Sequence, residues 1–167
     1  TTETATKNLE TSPMDYGSDV ESLLALSSTA SLKNPTVPLT VIFSYTGKVR
    51  MIFGDRFRVS LTDIGCLAGT TAEQKARCFI SESGGSFGVN DEANELVYEG
   101  VYDLPDGSKL VRFRQYFQGV PVFYARFSLI CTSNDEVIQV YTTFIDNLKL
   151  APSGTDLNQS HQFFDNN

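Results

Sequence analysis

Lys109–Phe127, KLVRFRQYFQGVPVFYARF, is the stretch whose reading decides the fold. It alternates as two β-strands joined by a tight turn. On the first, Val111, Phe113, Gln115 and Phe117 share one side, and Leu110, Arg112, Arg114 and Tyr116 the other. On the second, Phe123, Ala125, Phe127, Leu129 and Cys131 form an apolar side, opposite Val122, Tyr124, Arg126, Ser128 and Ile130. A period of two with aromatic and β-branched residues marks strands half-buried against a core. Gln118-Gly119 supplies the turn, because glycine takes positive φ without steric cost. Pro121 has no N–H to give a neighbour, so the second strand is expected to begin at an edge or after a bulge.

Outward from this hairpin, more elements follow the same rules. Glu95–Asp103 reads as a strand, closed by the Pro105-Asp106-Gly107 turn. Downstream, Ser133-Asn134-Asp135 turns the chain into a last alternating strand, EVIQVYTTFIDNL. Upstream, PLTVIFSYTGKVRMIFG reads as a hairpin about Tyr45-Thr46-Gly47-Lys48. Gly54-Asp55 then leads into RFRVSL, a third strand or an extended lead-in. Thr70–Ser83 is the main helix: Thr70 and Glu73 form a capping box, and Ala72, Ala76, Phe79 and Ile80 share one face, with Gly84-Gly85 as its end. A shorter helix is expected over Ser18–Ser28, with Ser18 as N-cap and Glu21 completing its box. Residues 1–35 read as a flexible leader carrying this helix, 36–150 as one domain, and 151–167 as a polar tail or linker holding the Phe163-Phe164 pair. One substantial helix with about six or seven strands is an α+β arrangement, an antiparallel sheet packed on one main helix.

The hairpin also carries a resemblance. VRFRQYFQGVPVF is similar to the signature of the pro-region that precedes thermolysin-like and fungalysin-like zinc metallopeptidases. That pattern runs His-Val-Arg-Phe-Gln-Gln-Tyr-Tyr-x-Gly-Val-Pro-Val-Phe-Gly-Gly-Glu. Val111, Arg112, Phe113, Gln115, Tyr116, Gly119, Val120, Pro121, Val122 and Phe123 match it. Leu110 stands for its His, Arg114 for a frequent Gln, and Tyr124-Ala125-Arg126 for Gly-Gly-Glu. The order of strand, Thr-Gly, Lys-Val-Arg, strand and Gly over residues 36–60 resembles the opening of the same pro-region. The resemblance implies a cystatin-like fold. It also implies that 36–150 is the first part of a longer pro-region, with a second pro-domain and the peptidase not included.

Composition and motifs restrict the alternatives. The chain has 167 residues, 20 acidic against 13 basic, for a net charge of −7, with the basic residues scattered. A concentrated basic face for nucleic acid is therefore not expected. No apolar run approaches the roughly 20 residues of a membrane span. The single histidine, His161, cannot build a two-histidine zinc site, and neither His-Glu-x-x-His nor Gly-x-Ser-x-Gly occurs. Carboxylates cluster at Asp91, Glu92 and Glu95 and at Asp135-Glu136, without calcium-loop spacing. They read as solvated loops. No catalytic residue, metal or cofactor is expected. Cys66, Cys78 and Cys131 leave two readings open: three buried small hydrophobes, or a Cys66–Cys78 disulfide joining a loop to the helix after it.

The function that the resemblance implies is that of an intramolecular chaperone and temporary inhibitor. The partner would be a metallopeptidase catalytic domain, met in cis or in trans, in a secreted or periplasmic setting. Tyr116, Gln118, Val120, Phe123 and Tyr124, around the signature turn, are the candidate partner-binding residues, since rim aromatics anchor interfaces. The alternative is a secreted, non-enzymatic binding module or secretion and assembly factor on the same fold.

Overall fold

The computed structural model describes residues 6–8, 17–27, 37–66 and 71–148. The leader and tail apart from these, His161, Phe163-Phe164 and Thr70 lie outside the described residues. Among the described residues, eight strands form one antiparallel sheet: β1 (Thr6–Asn8), β2 (Thr40–Phe43), β3 (Val49–Phe53), β4 (Val59–Ser60), β5 (Leu96–Asp103), β6 (Lys109–Phe117), β7 (Val120–Cys131) and β8 (Glu136–Thr142). Their spatial order is β1-β2-β3-β8-β7-β6-β5, with β4 paired to β8. The helices are α1 (Ser18–Leu26), α2 (Ala72–Ser83) and α3 (Glu92–Glu95), with a 3-10 turn at Gly84–Phe87 between the last two. An antiparallel sheet on one main helix is thus the observed class.

The inner face of the sheet carries the core. Val111, Phe113, Phe127, Leu129 and Val140 are buried there against Ala76, Phe79 and Ile80 of α2. Phe87, from the 3-10 turn, meets Phe127 edge-to-face at 5.3 Å, and each such buried aromatic contributes about 1.5–3 kcal/mol of transfer free energy. Val20, Leu23 and Leu24 of α1 join the same core.

Local details differ from the sequence expectations. The capping box of α2 uses Thr71 and Gln74, one residue later than expected: Gln74 N–H donates to Thr71 Oγ1 and Thr71 N–H to Gln74 Oε1. Both pairs fit the same three-residue spacing, so sequence alone does not choose between them. Ser18 is the first helical residue of α1, not its N-cap; Gly17 takes that place without a side-chain bond. Gly84 does not end α2 in a left-handed cap. It stays right-handed at φ −58°, the chain tightens into the 3-10 turn, and Gly88 at φ 88° supplies the reversal.

The acidic clusters are structural rather than simply solvated. Asp91 accepts from Asn94 N–H at the start of α3, and Glu95 accepts from the N–H groups of Asn90 and Asp91. Glu92 pairs with Arg77, Asp135 with Lys75 and Glu136 with Arg58. Of the two cysteine readings, the pairing is observed: Cys66 and Cys78 form a disulfide across a separation of 12 residues, a closure that restricts the unfolded chain by about 3 kcal/mol. Cys131 is free, and burial pushes its thiol up to about 12, with Asp135 adding to the shift. It is correspondingly inert at neutral pH.

Candidate functional site

The β6–β7 hairpin projects beyond the rest of the sheet. β8 reaches β7 only from Phe127 onward, so the first part of β7 has β6 alone as a partner. That is where a proline is tolerated, and Pro121 stands there opposite Tyr116. The turn is the two-residue Gln118-Gly119, with φ of 49° and 79°. Two positive φ values match the right-handed twist of the flanking strands, as hairpin turns of this length require.

Beyond Pro121 the register breaks. Arg114 faces Arg126 and Tyr116 faces Pro121, so two steps on β6 correspond to five on β7. Val122, Phe123, Tyr124 and Ala125 therefore bulge against Gln115. Tyr124 takes φ 56°, a left-handed conformation that costs a non-glycine residue on the order of 1–2 kcal/mol. The segment after β8 holds the bulge in place. Thr143 Oγ1 donates to Tyr124 O at 2.7 Å and accepts from Arg126 N–H at 2.9 Å. Gln115, almost fully buried, donates Nε2 to Ile145 O and accepts from Ile145 N–H, both at 2.8 Å.

The bulge overturns one placement. Simple alternation put Phe123 on the apolar side with Ala125 and Phe127. Instead Phe123 is 82% exposed while Ala125 is buried. With Tyr124 at 74% and Val120 at 64%, it forms an apolar knob at the tip, and the Phe123 and Tyr124 rings lie 4.0 Å apart. Of the other candidates, Gln118 is exposed in the turn and Tyr116 is half-buried on β6. All five thus lie at one end of the hairpin.

Glu99 is a residue of this region that the sequence did not single out. It is the extra residue of a bulge in β5, where Tyr98 faces Phe113 and Gly100 faces Arg112. Its carboxylate accepts from Arg114 at 2.7 Å and Arg126 at 2.9 Å. Burial alone would raise its pKa. Hydrogen bonds from Arg126 and Arg114 outweigh burial and hold the carboxyl below its ordinary value. No local motif announces a bulge at this position. Arg126, where the resembling pattern has Glu, was the one available signal.

Among the described residues, no three His, Cys, Asp or Glu side chains come together to hold a metal ion, and no helix is long and apolar enough to cross a membrane. The class defined by these features is an α+β domain, an antiparallel sheet on one main helix with a projecting, bulged hairpin. Residues 94–144, from within α3 to just past β8, match the family model described as the fungalysin/thermolysin propeptide motif, and this segment carries that motif. Neither the curated proteins nor the solved structures contain a match to the chain.

Proposed function

We propose that this domain is the pro-region of a secreted thermolysin-like metallopeptidase, acting as its folding chaperone and temporary inhibitor, with no catalytic role of its own. The observation that carries the reading is the propeptide motif over residues 94–144, whose hairpin ends in an exposed apolar knob. Exposed apolar side chains grouped at the tip of a hairpin favour contact with another protein. Val120, Phe123 and Tyr124 are its anchors, with Tyr116 and Gln118 beside them. Strain at Tyr124 favours a functional origin, because glycine, the family's usual residue there, would hold the same backbone freely. In cis, the tether raises the effective concentration of the two partners, and binding to the native peptidase shifts its folding equilibrium. The Cys66–Cys78 disulfide is consistent with an oxidising, extracytoplasmic setting.

The replacement of Gly-Gly-Glu by Tyr124-Ala125-Arg126 favours a second reading, a secreted binding module or assembly factor that has kept the fold and changed its partner. The purified chain separates the two in a pull-down from the secretions of its source, followed by casein cleavage. The expected result is recovery of a zinc peptidase whose activity falls as the chain is titrated in. Tyr124→Gly combined with Phe123→Ser should weaken this inhibition at least about tenfold, the loss of a hot-spot contact, without lowering Tm. A thermolysin-like peptidase unaffected by the chain would overturn the first reading.

A further inference from the structure

Among the described residues, no element covers the face of the sheet turned away from α2. Across it, Gly100, Arg112, Ser128, Tyr141 and Met51 form one cross-strand row. Of the two small neighbours of Arg112, Gly100 has the Tyr102 ring over it, whereas Ser128 lines a groove of about 570 Å³. Leu110, Ile130, Met51 and Tyr141 give it apolar walls, and Arg112 and Arg126 are its only charged lining residues among those described.

Arg112 is the unusual member. Its guanidinium lies over the Tyr102 ring, 5.1 Å from the centroid. Its Nε is sealed from solvent and finds no hydrogen-bond acceptor among the described residues. The neighbouring guanidiniums of Arg114 and Arg126 share Glu99, which leaves Arg112 without a carboxylate partner among the described residues, in a chain whose net charge is −7. A planar fork of donors stacked on an aromatic ring is suited to a carboxylate.

We propose that this groove binds an acidic segment of the partner protein, an Asp or Glu flanked by apolar side chains, with Arg112 as the carboxylate-binding residue. Charge complementarity selects an anionic ligand. The groove is open along its length and shares Tyr124 with the apolar knob, so one protein partner can cover both. An enclosed pocket would suit a fatty-acid chain better. The proposal extends the docking surface of the propeptide reading and rests on it for the partner's identity.

Its test needs no peptidase. The full chain, labelled with 15N, is titrated with acetyl-Phe-Glu-Leu-amide, with the neutral acetyl-Phe-Gln-Leu-amide, and with sodium decanoate. The expected result is saturable millimolar binding of the Glu peptide, with amide shifts centred on Arg112, Ser128 and Tyr141. The Gln peptide should bind at least about tenfold more weakly, as the loss of a charge-assisted hydrogen bond requires. Arg112→Gln should abolish the difference between the peptides while keeping a dispersed spectrum. Equal affinity of the two peptides, shifts elsewhere, no saturation, or tighter groove binding by decanoate would each overturn the proposal. The peptide comparison needs no variant to fold. Its failure would leave the propeptide reading standing, whereas failure of peptidase inhibition would leave the titration intact.

Discussion

On β7, Phe127 and Leu129 face α2 and are fully buried, whereas Ile130, between Leu129 and Cys131, faces the open groove with Tyr141 and Met51. Both faces are largely apolar, yet they meet different surroundings. The inner one is filled by α2, the 3-10 turn and α1. The outer one has apolar walls and unequal charge but no covering element among the described residues. The contrast teaches that hydrophobic character alone does not separate a core from a docking surface. What separates them is the covering element, together with the state of the polar groups at the centre of each face. On the inner face Gln115 is fully satisfied by Ile145. On the outer face Arg112 Nε is not.

The comparison can be broken most directly at Phe127. Phe127→Ala removes a buried ring that packs on Phe87 and is expected to cost about 3–5 kcal/mol in denaturant unfolding. Ile130→Ala, three residues along on the other face, is expected to cost about 1 kcal/mol or less. Equal losses would mean that the outer face belongs to the core. A smaller effect is expected at Gln115. Gln115→Leu keeps the volume but orphans the N–H and C=O of Ile145, at about 1–3 kcal/mol. Hydrogen exchange at the Ile145 amide should quicken accordingly, and unchanged protection would show that Gln115 does not hold the bulge.

The smallest expected effect is electrostatic. Because the Glu99 carboxyl is held below its ordinary value in the folded state, its contribution is present above the unfolded carboxylate pKa. It is lost as pH falls through the lowered folded value. The amount is about 1 kcal/mol at most, as for other part-exposed ion pairs. Glu99→Gln should flatten the acid limb of a Tm-against-pH profile and be weakest in effect in high salt. An unaltered acid limb would mean that Arg114 and Arg126 are indifferent to this carboxylate.

The sequence made the hairpins, the main helix and the α+β class legible because each rests on a local rule: period two, period 3.6, or a glycine in a turn. The cysteine pairing was one of two open readings, since spacing does not say which thiols meet. The bulge at Val122–Ala125 was not legible. It depends on Thr143 and Ile145, far along the chain, which bond Tyr124, Arg126 and Gln115. Strict alternation consequently put Phe123 inside. The groove was half legible: alternation puts Leu110, Arg112, Ser128 and Ile130 on the outer side, but Gly100 and Ser128 become neighbours of Arg112 only through strand register.

The strand order has a consequence for how the chain assembles. Among the described residues β8 is the last strand in the chain, yet it lies between β3 and β7 and joins the two halves of the sheet. The local hairpins β2–β3 and β6–β7 can form as soon as they exist, but no described strand joins them into one sheet until Glu136–Thr142 is available. Long-range pairing of this kind is slow, because a large loop must close before its contacts are gained. A chain emerging from its N-terminus therefore holds two unjoined pieces of sheet until that strand is made. Closure of the sheet then becomes a single late event, governed by the last seven residues of strand.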